Sequence, residues 1–372
     1  MATANTAQQY TSAQNASDRM VLLSTGVPMT KKIGVFGPFQ PGSENAIKLL
    51  NVGVTTGLDV RVTASVNNTG TVAAVASPLA PYNLISEINT RDYNTKRRVF
   101  APGHILMAYN SIRAGRVWMG SGQGAVDTNQ TNVPTAVGVG TLEFSLYVPI
   151  AYNAAADLRG ALDTQMSTGD CYVTLNFPSV LVGDESNLYV TTANATPVIS
   201  NIYVEVWQHY IQPQVMGSNG LPILPLMDLA TGYEIAGTFK TSDNLAAGGS
   251  KYINYPDVRQ VLSSMLLYVN GGLLNNNGSD VSEINLVVGA ATKVKQLTGR
   301  YIREKMRLMM GGDLYPALYY IGSRNNPIQV SSQSIVQTEF VPASVAAGNT
   351  FLAYAFESFY QTGQVLPGIA GS

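Results

Sequence analysis

Residues 207–233 read WQHYIQPQVMGSNGLPILPLMDLATGY, and this stretch decides how the chain divides. Before it runs an alternating apolar/polar segment, Ile202-Tyr203-Val204-Glu205-Val206-Trp207; after it, strand-like patterning restarts. Between them lie Pro213, Pro222 and Pro225 with Ser218-Asn219-Gly220, which are turn and breaker signals. Proline fixes φ and removes a donor, so the segment is expected to be extended and stiff. It reads as a short seam between two β domains of related style.

Working outward, the first half is a series of short strands. Leu58, Val60, Val62, Ala64 and Val66 alternate with Asp59, Arg61, Thr63 and Ser65, so one set faces a core. The same period holds for Leu142–Ile150, Cys171–Phe177 and Ile202–Ile211, with further strands expected at Lys32–Phe39 and Leu84–Ile88. Asn67-Asn68-Thr69-Gly70 reads as a hairpin turn into a strand at Thr71–Val75. Gly103–Ala114 carries a weak helical spacing, and 157–162 looks like a single helical insertion with Asp157 near its start. In the second half, Leu226–Thr241, Val261–Val269, Ile284–Val288, Leu314–Ile321, Ile328–Val341 and Phe351–Tyr360 read as strands. Thr292–Met310 is the best helix of the chain, with Ile302 and Met306 on one side and basic residues elsewhere. Many short strands between turn signals point to sandwiches or barrels.

Composition narrows the function classes. Of 372 residues, 45% are hydrophobic and only 12% charged, with 35 Gly, 18 Pro, 20 Tyr and a formal charge of −1. Disorder pairs low hydrophobicity with high net charge, so this chain folds. Sparse charge fits either a β protein with polar, uncharged loops or one whose outer surface is covered by neighbours. Without a basic excess there is no case for a general nucleic-acid binder. Cys171 is the single cysteine, which excludes an internal disulfide framework and suits a small core residue. The first 18 residues are polar and show no secretory h-region.

Candidate chemistry is thin. No nucleophile elbow, phosphate loop or HExxH motif occurs. His104 and His209 are the only histidines and stand far apart, so no metal or cofactor is expected. Asn275–Asp280 with Glu283 offers oxygen ligands but departs from a calcium-loop order. Glu143, Asp157 and Asp163 could supply a glycosidase pair, although nothing in the sequence spaces two of them for that role. A basic run, Lys293, Lys295, Arg300, Arg303, Lys305 and Arg307, is expected to form a solvated or inter-subunit helix face.

Several segments carry a family resemblance. Phe144-Ser145-Leu146-Tyr147-Val148-Pro149-Ile150-Ala151-Tyr152 followed by Asp157-Leu158-Arg159-Gly160-Ala161 resembles a segment of the double jelly-roll major capsid proteins of tailless, membrane-containing icosahedral bacteriophages, the tectiviruses. So do Tyr210, Asn219-Gly220, Ile223-Leu224-Pro225-Leu226, Asp228-Leu229 and Tyr233 of the seam. Asn83-Leu84, Val269-Asn270-Gly271-Gly272, Tyr319-Tyr320 and Asn326-Pro327-Ile328 extend the similarity in order along nearly the whole chain.

The resemblance implies an all-β chain of two tandem eight-stranded jelly rolls with a few short helices. Its expected parts are an arm at 1–30, a first roll at 31–212, a proline-braced linker at 213–225, and a second roll with a C-terminal tail at 226–372. It implies a non-enzymatic virion protein, made in the host cytoplasm, that forms pseudo-hexagonal homotrimers and tiles an icosahedral shell over an internal membrane. Expected partners are further copies, that membrane and minor capsid or vertex proteins, with no direct nucleic-acid contact. Arg19, Lys31 and Lys32 are then candidates for anionic head groups, and Arg300, Arg303 and Arg307 for an inter-subunit face. The rival readings are a lectin-like carbohydrate-binding β-sandwich and a receptor-binding or vertex protein of a similar virus.

Overall fold

A computed structural model describes residues 21–77, 79–92, 95, 97–114, 133–155, 158, 160–165, 169–184, 187–214, 233–242, 249–255, 261–269, 279, 281–289, 292–310, 318–322, 328–329, 335–343 and 350–359. The alternation around Leu58 becomes one long strand, and its apolar set, Leu58 to Val66, is buried while Arg61 and Asn67 face out. The strands before the seam are β1 (Val27–Phe39), β2 (Glu44–Lys48), β3 (Val54–Asn68), β4 (Val75–Ala76), β5 (Glu87–Arg91), β6 (Arg97–Ala101), β7 (Gly138–Pro149), β8 (Leu162–Asp163), β9 (Tyr172–Asn176), β10 (Val182–Gly183), β11 (Tyr189–Val190) and β12 (Pro197–Gln212). After it come β13 (Tyr233–Ser242), β14 (Lys251–Asn254), β15 (Val261–Val269), β16 (Val281–Val288), β17 (Thr292–Leu297), β18 (Leu318–Gly322), β19 (Ile328–Gln329), β20 (Val336–Pro342) and β21 (Thr350–Phe359). Helix α1 spans Gly103–Ala114 and α2 spans Gly299–Met310.

The pairing repeats from one half to the other. The first half sets β1-β12-β3-β7 in one sheet and β2-β9-β5-β6 in the facing one. The second sets β13-β21-β15-β18 against β14-β20-β16-β17. In both, the first, eighth, third and sixth main strands share a sheet, and the second, seventh, fourth and fifth share the other. That is the order of a jelly roll. Each half also places its helix between the fifth and sixth strands, α1 between β6 and β7, α2 between β17 and β18. The halves meet through a parallel pair, Ile235 beside Val99 and Ala236 beside Phe100, so one sheet runs from the first roll into the second.

A single apolar core links both rolls, from Val60, Phe144 and Val204 to Ile284, Tyr319 and Phe340. Cys171 is buried in it, as its alternation with Val173 and Leu175 predicted. Gln208, fully buried, accepts from the Leu50 amide at 2.8 Å and donates to the Leu50 carbonyl at 3.0 Å and Thr55 Oγ1 at 2.6 Å. His104 lies within the core, where burial lowers its pKa to about 3 and keeps the imidazole neutral.

In the second roll, Glu339 accepts from Lys293 Nζ at 2.8 Å, Asn285 Nδ2 at 3.0 Å, Ser250 Oγ at 2.8 Å and Tyr252 OH at 3.1 Å. Those donors, Lys293 first, pull its pKa down from 4.5 to about 2. A carboxyl depressed on folding contributes stability above its unfolded pKa and loses it as pH falls through the folded one. Chemical denaturation should therefore show the wild-type chain weakening between pH 4.5 and about 2 by a component that Glu339→Gln lacks, since the variant has already lost it at neutral pH.

Several expected elements differ. Thr292–Leu297 is a strand, not the start of the helix: Thr-Lys-Val-Lys-Gln-Leu alternates, and Leu286 pairs with Lys295 across to β16. The helix begins after Thr298, whose Oγ1 accepts the Tyr301 amide at 3.2 Å as a cap. No hairpin follows Asn67. Instead Asn68 Oδ1 takes the amides of Gly70 and Thr196, and β4 pairs with β11. Tyr82–Leu84 is a 3₁₀ turn, so the strand expected at Leu84–Ile88 starts at Glu87. Of the helical insertion at 157–162, Leu158, Gly160 and Ala161 lie in a turn and Leu162 opens β8, while Asp157 and Arg159 lie outside the described residues. The seam beyond Gln214, the arm up to Met20 with Arg19, and the Asn275–Gly278 loop also lie outside them.

Candidate functional site

The surface that the fold offers to a partner is the outer face and open edge of β1-β12-β3-β7. Among the described strands, β1 pairs only with β12, so a thirteen-residue edge faces outward. Val27, Met29 and Val35 on it are exposed. A long edge strand with free main-chain groups is a template for pairing unless charge or a neighbour covers it. Lys31 and Lys32 sit in the middle of this edge. Lys31 is exposed, and Lys32 pairs with Glu205 and lies 5.5 Å from the Trp207 ring centroid.

Across the face runs a ladder of charges. Arg61 Nε donates to Glu143 at 2.8 Å, with Arg61 also 3.8 Å from Glu205. His209 bridges two strands, with Nε2 2.7 Å from Asp59 and Nδ1 2.9 Å from Thr30 Oγ1, and the Tyr147 ring leans 5.9 Å away. Beside this group opens a cavity of about 470 Å³, walled by Met29, Thr30, Tyr147, His209, Tyr210 and Ile211. Leu23 also lines it, from a helical turn at 21–25 that buried Leu22 anchors against Val54, Ala151 and Ile211. No sequence pattern announces this cavity, because its wall comes from four strands distant along the chain.

The expected basic face on α2 divides in two. Arg303 is only 4% exposed, and its Nη1 donates to the Leu318 carbonyl at 3.1 Å, so it ties the helix to β18. Arg300 and Arg307 are exposed, together with Tyr301, Lys305, Leu308 and Met309. Arg303 occupies an inward position because the helical repeat places it beside Ile302 and Met306, which are buried.

Among the described residues, the candidate carboxylates do not come together. Asp163 pairs opposite Val54 and Glu143 opposite Thr63, about 30 Å apart along β3, well beyond the spacing of a glycosidase pair. Among the described residues, no three His, Cys, Asp or Glu side chains converge, and no helix is long and apolar enough to cross a membrane.

Two jelly rolls in tandem, each with a helix at the same place and joined edge to edge, define a double jelly-roll fold. Residues 32–211 match the family model for the N-terminal part of the P3 major capsid protein, and residues 231–368 match the model for its C-terminal part. The chain belongs to this P3 major capsid protein family and is a structural protein of the icosahedral virion. The major capsid protein P3 of Enterobacteria phage PRD1 is 25% identical over 340 residues, 86% of this chain and 84% of that protein. The fold is shared with the STIV MCP crystal structure, at TM-score 0.63 and 15% identity over 91% of this chain and 98% of that one. It is also shared with the Sulfolobus Turreted Icosahedral Virus structure, at 0.60 and 15% over 91% and 92%. Membership places the chain in the shell rather than among sugar-binding sandwiches or vertex proteins.

Proposed function

We propose that three copies close into a pseudo-hexagonal homotrimer, and that such trimers tile a shell over an internal membrane. The observation that carries this reading is the repeat of one jelly-roll order twice in a single chain, side by side and sharing a sheet. Three such pairs make a ring of six similar units, a closed head-to-tail arrangement. It also accounts for a chain with only 12% charged residues, since obligate interfaces of roughly 2,000–5,000 Å² are depleted in charge. The open β1 edge and the exposed side of α2, with Arg300 and Arg307, are the surfaces that such closure would cover.

Toward the membrane, Arg19 of the arm supplies a cation for anionic head groups, worth about 1 kcal/mol near such a surface, while Lys31 and Lys32 lie on the β1 edge that closure covers, with Lys32 paired to Glu205. Minor capsid and vertex proteins complete the particle, and the chain is made in the host cytoplasm. Light scattering of the purified chain tests the oligomer: three times the 39.6 kDa chain mass is expected, and a monomer at micromolar concentration contradicts it. Deleting residues 2–20 leaves Leu22 in place and is expected to keep trimers while weakening flotation with anionic vesicles. Unchanged flotation would remove the arm from the account.

A further inference from the structure

The two helices occupy the same place in the two rolls, and both are twelve residues long and start with glycine. Aligned position by position, Asn110 in α1 matches Met306 in α2. Each is bonded to the strand that follows its helix: Asn110 Nδ2 donates to the Tyr147 carbonyl on β7 at 2.7 Å, and Met306 Sδ lies 3.2 Å from the Tyr320 amide on β18. Tyr147 and Tyr320 each stand two residues from the end of their strand. The alignment is thus physical as well as numerical.

On α1 the residues three, seven and ten along are Ile105, Tyr109 and Ile112, one stripe of the helix and all buried. Tyr109 reaches the other roll, its ring edge-on to Tyr320 at 6.3 Å. The matching stripe on α2 is Tyr301, Lys305 and Leu308. It is exposed, with Tyr301 at 49% and Leu308 at 86%. Within one chain, then, the helix of the first roll reaches the sixth strand of the second through Tyr109, while the matching stripe on the helix of the second roll is exposed. The equivalent strand of a first roll is β7, and beside its Tyr147 lies the 470 Å³ cavity.

We propose that the Tyr301–Lys305–Leu308 stripe of α2 docks beside Tyr147 of a second copy, filling the cavity rimmed by Met29, Tyr147 and His209. The contact between copies thereby repeats the α1 contact between rolls. Because it joins two different patches, it runs head to tail and closes when the third copy returns to the first. The apolar walls, Met29 and Ile211, suit Leu308, and Asp59 behind His209 supplies an anion near Lys305. The inference rests on the trimer reading above and names its contact surface.

Two variants test it. Leu308→Asp places a charge at a position 86% exposed in the subunit, so the monomer should keep its circular dichroism and its melting profile. The concentration at which trimers dissociate should rise at least tenfold. In a second chain, Met29→Cys with Leu308→Cys should give covalent dimers and trimers with a short bis-maleimide, whereas either single variant gives none, Cys171 being buried. If wild-type trimers persist while Leu308→Asp trimers are equally stable, or if the double-cysteine chain fails to cross-link, the docking site is wrong and the trimer reading stands. If the wild-type chain is monomeric, the reading beneath it fails.

Discussion

Replacing Arg98 by Met is expected to destabilise the protein by about 3–5 kcal/mol. Arg98 and Asp92 are both buried, with Nε and Nη2 of the guanidinium 3.0 and 2.7 Å from Asp92 Oδ2. Desolvating two charges costs about as much as their attraction returns, so the intact pair adds little to stability. Removing one partner leaves the other charged in a low-dielectric site, which is the expensive state. The double variant Asp92→Leu with Arg98→Met should therefore recover most of the loss. Urea denaturation of the two single variants and the double variant measures this directly. A loss below about 1 kcal/mol for Arg98→Met would mean the pair is hydrated. The position gives the result wider reach, because the next residue, Val99, pairs with Ile235 of the second roll.

Phe144→Ala carries the other large effect, about 3–5 kcal/mol. Phe144 is 1% exposed in the wall of the first roll and packs edge-on to Tyr82 at 5.5 Å. Truncation removes the transfer energy of the ring and leaves a cavity that two sheets and a helix cannot close. Val139→Ala on the same strand, at a side chain 78% exposed, should change subunit stability by less than about 0.5 kcal/mol. Thermal melts of the two variants separate core packing from surface. Equal melting temperatures would contradict the assignment of the inward face of β7.

The strands with strict alternation, β3, β7, β9 and β12, are legible because one face is buried and the other is not. Burial of Val60, Val62, Leu146 and Val204 against exposure of Arg61 and Ser145 is a local pattern. What escaped the sequence is non-local. β4 and β8 are two residues each and pair only with strands far along the chain, which no period can announce. β17 reads as helix because Lys and Gln favour helices, whereas pairing with β16 outweighs that preference. Arg303 looked like its neighbours Arg300 and Arg307, and only helix phase placed it inward.

The correspondence of α1 and α2 was equally hidden. The described residues of α1 are buried or half-buried all round, while α2 is amphipathic with one side exposed, so their letters diverge while their places agree. For the same reason the two halves share no evident sequence repeat although their strand orders are identical. The cavity beside His209 is assembled from β1, β3, β7 and β12, with Leu23 from the turn before β1 and Ala154 and Ala155 after β7, and so could not be read from any one of them.

Negative-stain electron microscopy of the purified chain tests the central claim most directly. Hexagonal particles with three-fold symmetry, six lobes to a ring, are predicted. Isolated two-lobed particles, or round particles without that symmetry at the same concentration, would contradict it.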